Sequence, residues 1–150
     1  MPQSFVCLHV HLVFSTKNRD PMITEEFAPR LYDYIGEIIR KQNGSLIAAG
    51  GMKDHVHFLI SLGKTISMAD LVRVIKSNSS KWVHATFPEH HQFCWQTGYG
   101  AIAVSQSQLD QVKTYISSQA EHHHTQSFQD ELRALLKRHN VEFDERYLWD

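Results

Sequence analysis

Only two cysteines occur, Cys7 and Cys94. Their spacing gives neither a disulfide framework nor a metal knuckle, and free thiols in a reducing, cytoplasmic setting are expected. No apolar run approaches the ~20 residues of a membrane span, so no membrane partner is expected. The opening Met1-Pro-Gln-Ser-Phe5 has no basic n-region, which argues against a signal peptide. There is no low-complexity tract, no useful internal repeat and no glycine-rich nucleotide-binding loop. Charge of one sign is also missing. The net charge of −1 withholds the plain basic signature of a nucleic-acid binder.

What is present suits one compact domain over residues 1–150, with 42% hydrophobic and 21% charged residues. The charge is unevenly spread. Residues 1–100 hold ten Lys/Arg against eight Asp/Glu, and residues 101–150 hold five against eight. Within 64–81, Lys64, Arg73, Lys76 and Lys81 face Asp70 alone, a candidate basic strip. The eleven histidines are the oddity of the composition, and their partial protonation would add some positive charge near neutral pH.

Residues 5–15 alternate, with Val6, Leu8, Val10, Leu12 and Phe14 on one face and His9, His11 and Val13 on the other, which predicts a strand. A turn through Lys17-Asn-Arg19 follows. Thr24 is the expected cap of a helix carrying Phe27, Leu31, Ile35, Ile38 and Ile39, with Pro29 pushing the true start later. Ser45–Ala49 reads as a short strand ending at a Gly50-Gly51 turn or bulge. The next strand puts Val56, Phe58, Ile60 and Leu62 on one face and His55, His57, Leu59 and Ser61 on the other. Ser67 to Asp70 and Ser107 to Asp110 have the form of capping boxes. They open helices over Leu71, Val74 and Ile75 and over 108–124. Between them, Phe93 to Ser105 is strand-like. Ser127 caps a last helix with Phe128, Leu132, Leu135 and Leu136, and the tail from Val141 is expected to be extended.

The order β-α-β-β-α-β-α-α is α+β. Its first six elements match a ferredoxin-like (RRM-like) split βαβ arrangement with a four-stranded antiparallel sheet. Two helices would cover the apolar face. The histidine face would be left for the extra C-terminal helix 108–124, with a short final helix after it.

His55 and His57, two apart on a strand, point the same way. Tyr115 and Gln119, four apart on a helix, share a flank of the Leu109–Ile116–Ala120 stripe. Together they can supply three metal ligands and one nucleophile. Each feature has a plainer reading. Histidine pairs on strands are more often half-buried polar residues than ligands, and His9-Val10-His11 repeats the pattern. Tyrosines on amphipathic helices usually sit at the core margin. His11 and His122 are candidates to support the site from behind. His122-His123-His124 point in three directions and cannot share one ion, so they read as a polar helix end.

Five stretches in order resemble the single-tyrosine (HUH-type) transposases of the insertion-sequence 200/605 group. These are His11-Leu-Val-Phe-Ser-Thr-Lys17-Asn-Arg19, Asp54-His-Val-His57, Lys76-Ser-Asn-Ser-Ser80-Lys-Trp82, Trp95-Gln-Thr-Gly-Tyr-Gly100 with Val104-Ser105, and Tyr115-Ile-Ser-Ser-Gln119. The tail Val141 to Tyr147 is similar too, so the likeness runs from about residue 5 to 147. The resemblance implies an enzyme that cuts and rejoins single-stranded DNA at hairpin-marked element ends. It implies Tyr115 as nucleophile and His55, His57 and Gln119 as ligands of one divalent metal. It also implies a homodimer in which the tyrosine helix of one subunit completes the site of the other. The short Ser105-Gln106-Ser107 connection before that helix points the same way.

A divalent ion on a non-bridging oxygen lowers the phosphodiester's repulsion of nucleophiles and fixes it for in-line attack. Two imidazoles suit Mn²⁺, and Mg²⁺ is favoured by its cellular abundance. Attack by Tyr115 leaves a 5′-phosphotyrosine and a free 3′-OH. Lys17, Arg19, Arg73, Lys76 and Lys81 are candidate DNA contacts. No carboxylate is singled out as a base. The alternatives are a related nuclease or replication initiator with the same chemistry, or a non-catalytic single-strand binder. The latter usually stacks bases on strand aromatics, where this sheet shows histidines.

Overall fold

The computed structural model describes residues 3–119 and 126–149. Its sheet has the order β2-β3-β1-β4, with strands β1 (His9–Ser15), β2 (Ser45–Gly51), β3 (His55–Ser61) and β4 (Gly100–Val104). All three pairings are antiparallel, and the first and third strands are the central neighbours, as the ferredoxin-like reading expects. Helices α1 (Ala28–Lys41) and α2 (Met68–Thr86) lie on one face, while α3 (Leu109–Ser117) and α4 (Phe128–Arg138) lie on the other.

The first face is the main core. Leu12 and Phe14 of β1 and Val56, Phe58 and Ile60 of β3 meet Leu31, Ile35 and Ile39 of α1 and Leu71 and Ile75 of α2. Alternation along the strands and i, i+4 spacing along the helices put these side chains together. The Ser67 hydroxyl accepts from the Asp70 N–H at 3.1 Å, and Ser127 does the same for Asp130, so both caps form as expected. Pro29 stands in the first turn of α1, which starts four residues after Thr24.

Several boundaries differ from the sequence reading. Residues 5–8 are not strand, and Phe5 is 90% exposed. Beyond His9 the chain has passed the paired end of β4 at Val104, and the Leu8 carbonyl makes one last bond to Leu62. Only the end of the 93–105 stretch is strand. Before it, Phe93 and Trp95 turn into the main core, where Trp95 donates to the Ser79 hydroxyl at 2.9 Å. Gly50 and Gly51 are inside β2 rather than in a turn. The Ser107 box does not cap: Gln106–Gln108 form a single 3₁₀ turn that runs straight into α3. The tail folds into a turn against α4. There Arg133 grips Glu145, and Trp149 lies under the guanidiniums of Arg19 and Arg133.

The second face has two small apolar clusters. Ala48 and Leu59 hold Ile116 of α3, while Val13 and Ile102 hold Phe128, Leu132 and Leu136 of α4. Small residues decide how close the helices come. A Cβ on Gly50 would sit 2.0 Å from the Ile116 carbonyl oxygen, so only glycine lets α3 lie against β2. This corrects the expectation that the short connection forces the helix away. The 3₁₀ turn is enough to bring α3 back over its own sheet.

Candidate active site

The seam between α3 and α4 is polar and buried. His55 and His57 project from β3 and His11 from β1, all on the same face of the sheet. Tyr115 and Gln119 come down from α3 and its C-terminal end. The sixth group, Glu131 of α4, was not expected. Its Oε1 stands 2.8 Å from His57 Nε2 and 3.5 Å from His55 Nε2, and its Oε2 accepts from the Tyr115 hydroxyl. One carboxylate therefore touches both histidines and the tyrosine. A signal for it was present in the sequence. Glu131 lies between Phe128 and Leu132, on the stripe that α4 buries, where an acidic residue is out of place unless it has partners.

Each histidine is held from behind. Asp54 Oδ1 takes the Nδ1 side of His55 at 2.7 Å, and His11 Nε2 lies 2.8 Å from His57 Nδ1. Both Nε2 atoms are thereby aimed at the seam. Gln119 Oε1 is 3.4 Å from His55 Nε2. Ligand atoms of His55, His57 and Glu131 lie within 4.8 Å of one another, close enough to hold one divalent metal ion. The donor set fits such an ion: two imidazoles, one carboxylate and a neighbouring amide oxygen, with oriented rings. Among the described residues, no buried side-chain nitrogen or oxygen lacks a partner.

The electrostatics follow from burial and the single carboxylate. Burial opposes charge on His55, but hydrogen bonds to Asp54 and Glu131 outweigh it and raise its pKa to about 9. Burial, and then the neighbouring His57, push His11 down to about 3, so it stays neutral. Burial would raise Glu131, yet bonds from His55, His57 and Tyr115 hold it below the ordinary carboxylate range. Tyr115 is pushed above the ordinary phenol range, first by burial and then by Glu131. The negative carboxylate is balanced here by a protonated imidazole. A divalent cation in place of that proton would add one positive charge beside Tyr115 and so ease ionisation of the phenol.

The other expected site residues are scattered. Lys17 and Lys81 are exposed, and Arg73 pairs loosely with Asp70 at 3.5 Å on the surface. Arg19 follows the left-handed residue Asn18, is itself left-handed at φ 58°, and stacks on Trp149. Lys76 differs from the expectation of a free phosphate contact. Its ammonium donates to the carbonyls of Gln96, Thr97 and Gly98 at 2.7–3.1 Å and lies over the Phe14 ring. The stretch Lys76 to Trp82 thus fastens α2 to the segment before β4. His122 lies outside the described residues.

Comparison with known proteins identifies the family and the fold. Residues 4–119 match the family model described as Transposase IS200 like. The chain is 27% identical over 117 residues to the ISDra2 transposase TnpA of Deinococcus radiodurans, covering 75% of this chain and 84% of that one. A solved structure described as a transposase from the same organism superposes with a TM-score of 0.62 at 26% identity, covering 79% of this chain and 96% of that chain. A REP-associated tyrosine transposase bound to a REP hairpin shares the fold, with a TM-score of 0.58 at 15% identity over 83% of this chain and 73% of that chain. With more than half of its length matched by the family model, this chain belongs to the IS200-like transposase family.

Proposed function

We propose that this protein cleaves and rejoins single-stranded DNA through a 5′-phosphotyrosine on Tyr115, with a divalent metal held by His55, His57 and Glu131 beside Gln119. The observation that carries the reading is the contact of one carboxylate with both histidines and the tyrosine hydroxyl. It joins a nucleophile to a metal-binding group from three distant parts of the chain. The metal, Mn²⁺ or Mg²⁺, supplies Lewis-acid neutralisation of the phosphate. The protein's own groups do the rest. Glu131 Oε2 holds the Tyr115 hydroxyl in place, accepts its proton as the oxygen attacks, and passes it to water. The tyrosine oxygen bonds to phosphorus as the bond to the 3′-oxygen breaks, and water protonates that oxygen. A 3′-OH attacking the phosphotyrosine reverses the step, so rejoining needs no nucleotide cofactor.

Hairpin-bearing single strands are the proposed substrate, in keeping with the hairpin bound by the REP-associated relative. Tyr115→Phe should abolish the covalent DNA adduct seen in denaturing electrophoresis, because only the hydroxyl is removed. An adduct surviving in that variant would defeat the assignment.

A homodimer is the proposed working form. In the single chain α3 covers its own histidines, and exchange of that helix between two subunits would build the same site from two chains. Mixing inactive Tyr115→Phe with inactive His57→Ala proteins tests the exchange. Adduct on the His57→Ala chain is expected. None, once mixed dimers are verified, would mean that each chain completes its own site.

A further inference from the structure

A cavity of about 520 Å³ opens between the end of β4, α3 and α4, with His11, Tyr115 and Glu131 at its inner end. The proposed chemistry uses only that inner end. The remaining walls have two characters. Ile102, Val112 and Leu135 are apolar, while Gln108 and Gln111 bring amides, each of which can donate and accept. At the margin stands Arg138, on the last turn of α4 and exposed. Its positive charge reaches the Tyr115 hydroxyl, where it favours ionisation against the larger opposing effects of burial and Glu131.

We infer that this cavity is a nucleotide subsite: it receives the base of one unpaired nucleotide adjoining the phosphate that Tyr115 attacks, while Arg138 faces the backbone there. The inference rests on the strand-cleaving reading above and adds a specificity site to it. Three features select this occupant. The cavity is continuous with the nucleophile, so whatever fills it lies beside the reacting bond. Its volume falls within the roughly 300–1,000 Å³ of small-ligand pockets, which suits one nucleotide rather than a duplex. Its chemistry matches a base in a single strand, which offers two apolar faces and a free hydrogen-bonding edge. Amides that both donate and accept can read such an edge. A cation at the mouth complements the phosphate.

The test uses a pool of single-stranded oligonucleotides with randomised positions, incubated with full-length protein and Mn²⁺. Strands captured on Tyr115 are isolated under denaturing conditions and their junctions sequenced. For the wild type, one position next to the junction should favour one base by about tenfold, the scale of a good amide–base contact. Gln111→Leu removes an amide, and Ala134→Phe projects a ring into the cavity from an exposed position of α4. In both, the preference at that position should fall to about twofold or less among whatever strands are captured. The readout is the composition of captured junctions, so a slower variant is still scored. Circular dichroism and thermal unfolding check that both variants fold. For folded variants, an unchanged preference would overturn the subsite, as would a wild type indifferent to base at every position. A wild type that captures no strand would instead overturn strand cleavage itself, and the subsite with it.

Discussion

The two faces of one sheet obey different rules. On the α1/α2 side, Leu12, Phe14, Val56, Phe58 and Ile60 form a continuous apolar core in which any well-packed hydrophobe of the right volume would serve. On the α3/α4 side, the intervening residues His11, His55 and His57 split the packing into two small clusters with a polar seam between them. The same strands supply both faces, one residue apart. The difference teaches that stability and chemistry are kept apart by the pleat. The large core holds β1 and β3 rigid, and that rigidity aims the histidines. The seam contributes less hydrophobic burial and holds groups whose desolvation is costly unless every partner is present.

The sharpest way to break this comparison is to exchange one side chain on each face. Phe58→Ala should destabilise by about 3–5 kcal/mol in chemical denaturation, with the chemistry lost only because the fold is lost. Tyr115→Phe should cost about 1–3 kcal/mol, the loss of one hydrogen bond to the buried Glu131 carboxylate, while ending adduct formation. If Tyr115→Phe unfolded the protein as readily as Phe58→Ala, the division between the faces would be false.

A smaller effect is expected within the seam. Glu131→Gln keeps the shape and removes the charge, and should weaken Mn²⁺ binding in calorimetric titration by about tenfold or more. His55→Ala and His57→Ala should weaken it further, and Gln119→Ala least, since an amide is a poorer ligand than imidazole. Undiminished affinity in Glu131→Gln would return the third ligand position to Gln119.

The smallest effects separate two cations of α2. Lys76→Met should cost about 1.5–3 kcal/mol of stability, the worth of charged hydrogen bonds to three carbonyls. It should leave the salt dependence of DNA binding alone. Arg73→Ala, on the surface, should leave stability alone and flatten that salt dependence by about one unit of slope. A reversed pattern would place Lys76 on DNA after all.

Period-two and period-3.6 patterns are local, so the sequence alone carried the element order, the apolar face and the placement of His55 and His57 on the other. The i, i+4 spacing likewise joined Tyr115 to Gln119, and the serine caps marked the starts of α2 and α4. Other features depended on contacts far apart in the chain. Residues 5–8 alternate like a strand but lie beyond the strands that could pair with them. Lys76 looks like a solvated helix charge until the loop at 96–98 folds over it. Ser105 to Ser107 looks too short a connection until Gly50 lets α3 approach the sheet. Glu131 stands on the apolar stripe of α4 in the sequence itself, but the groups it meets are set only when α4 packs on Val13 and Ile102. A one-dimensional pattern specifies which way a side chain points from its own element. Which groups it then meets is decided by how elements pack, and the joining of Glu131, Tyr115 and the histidines is a property of that packing.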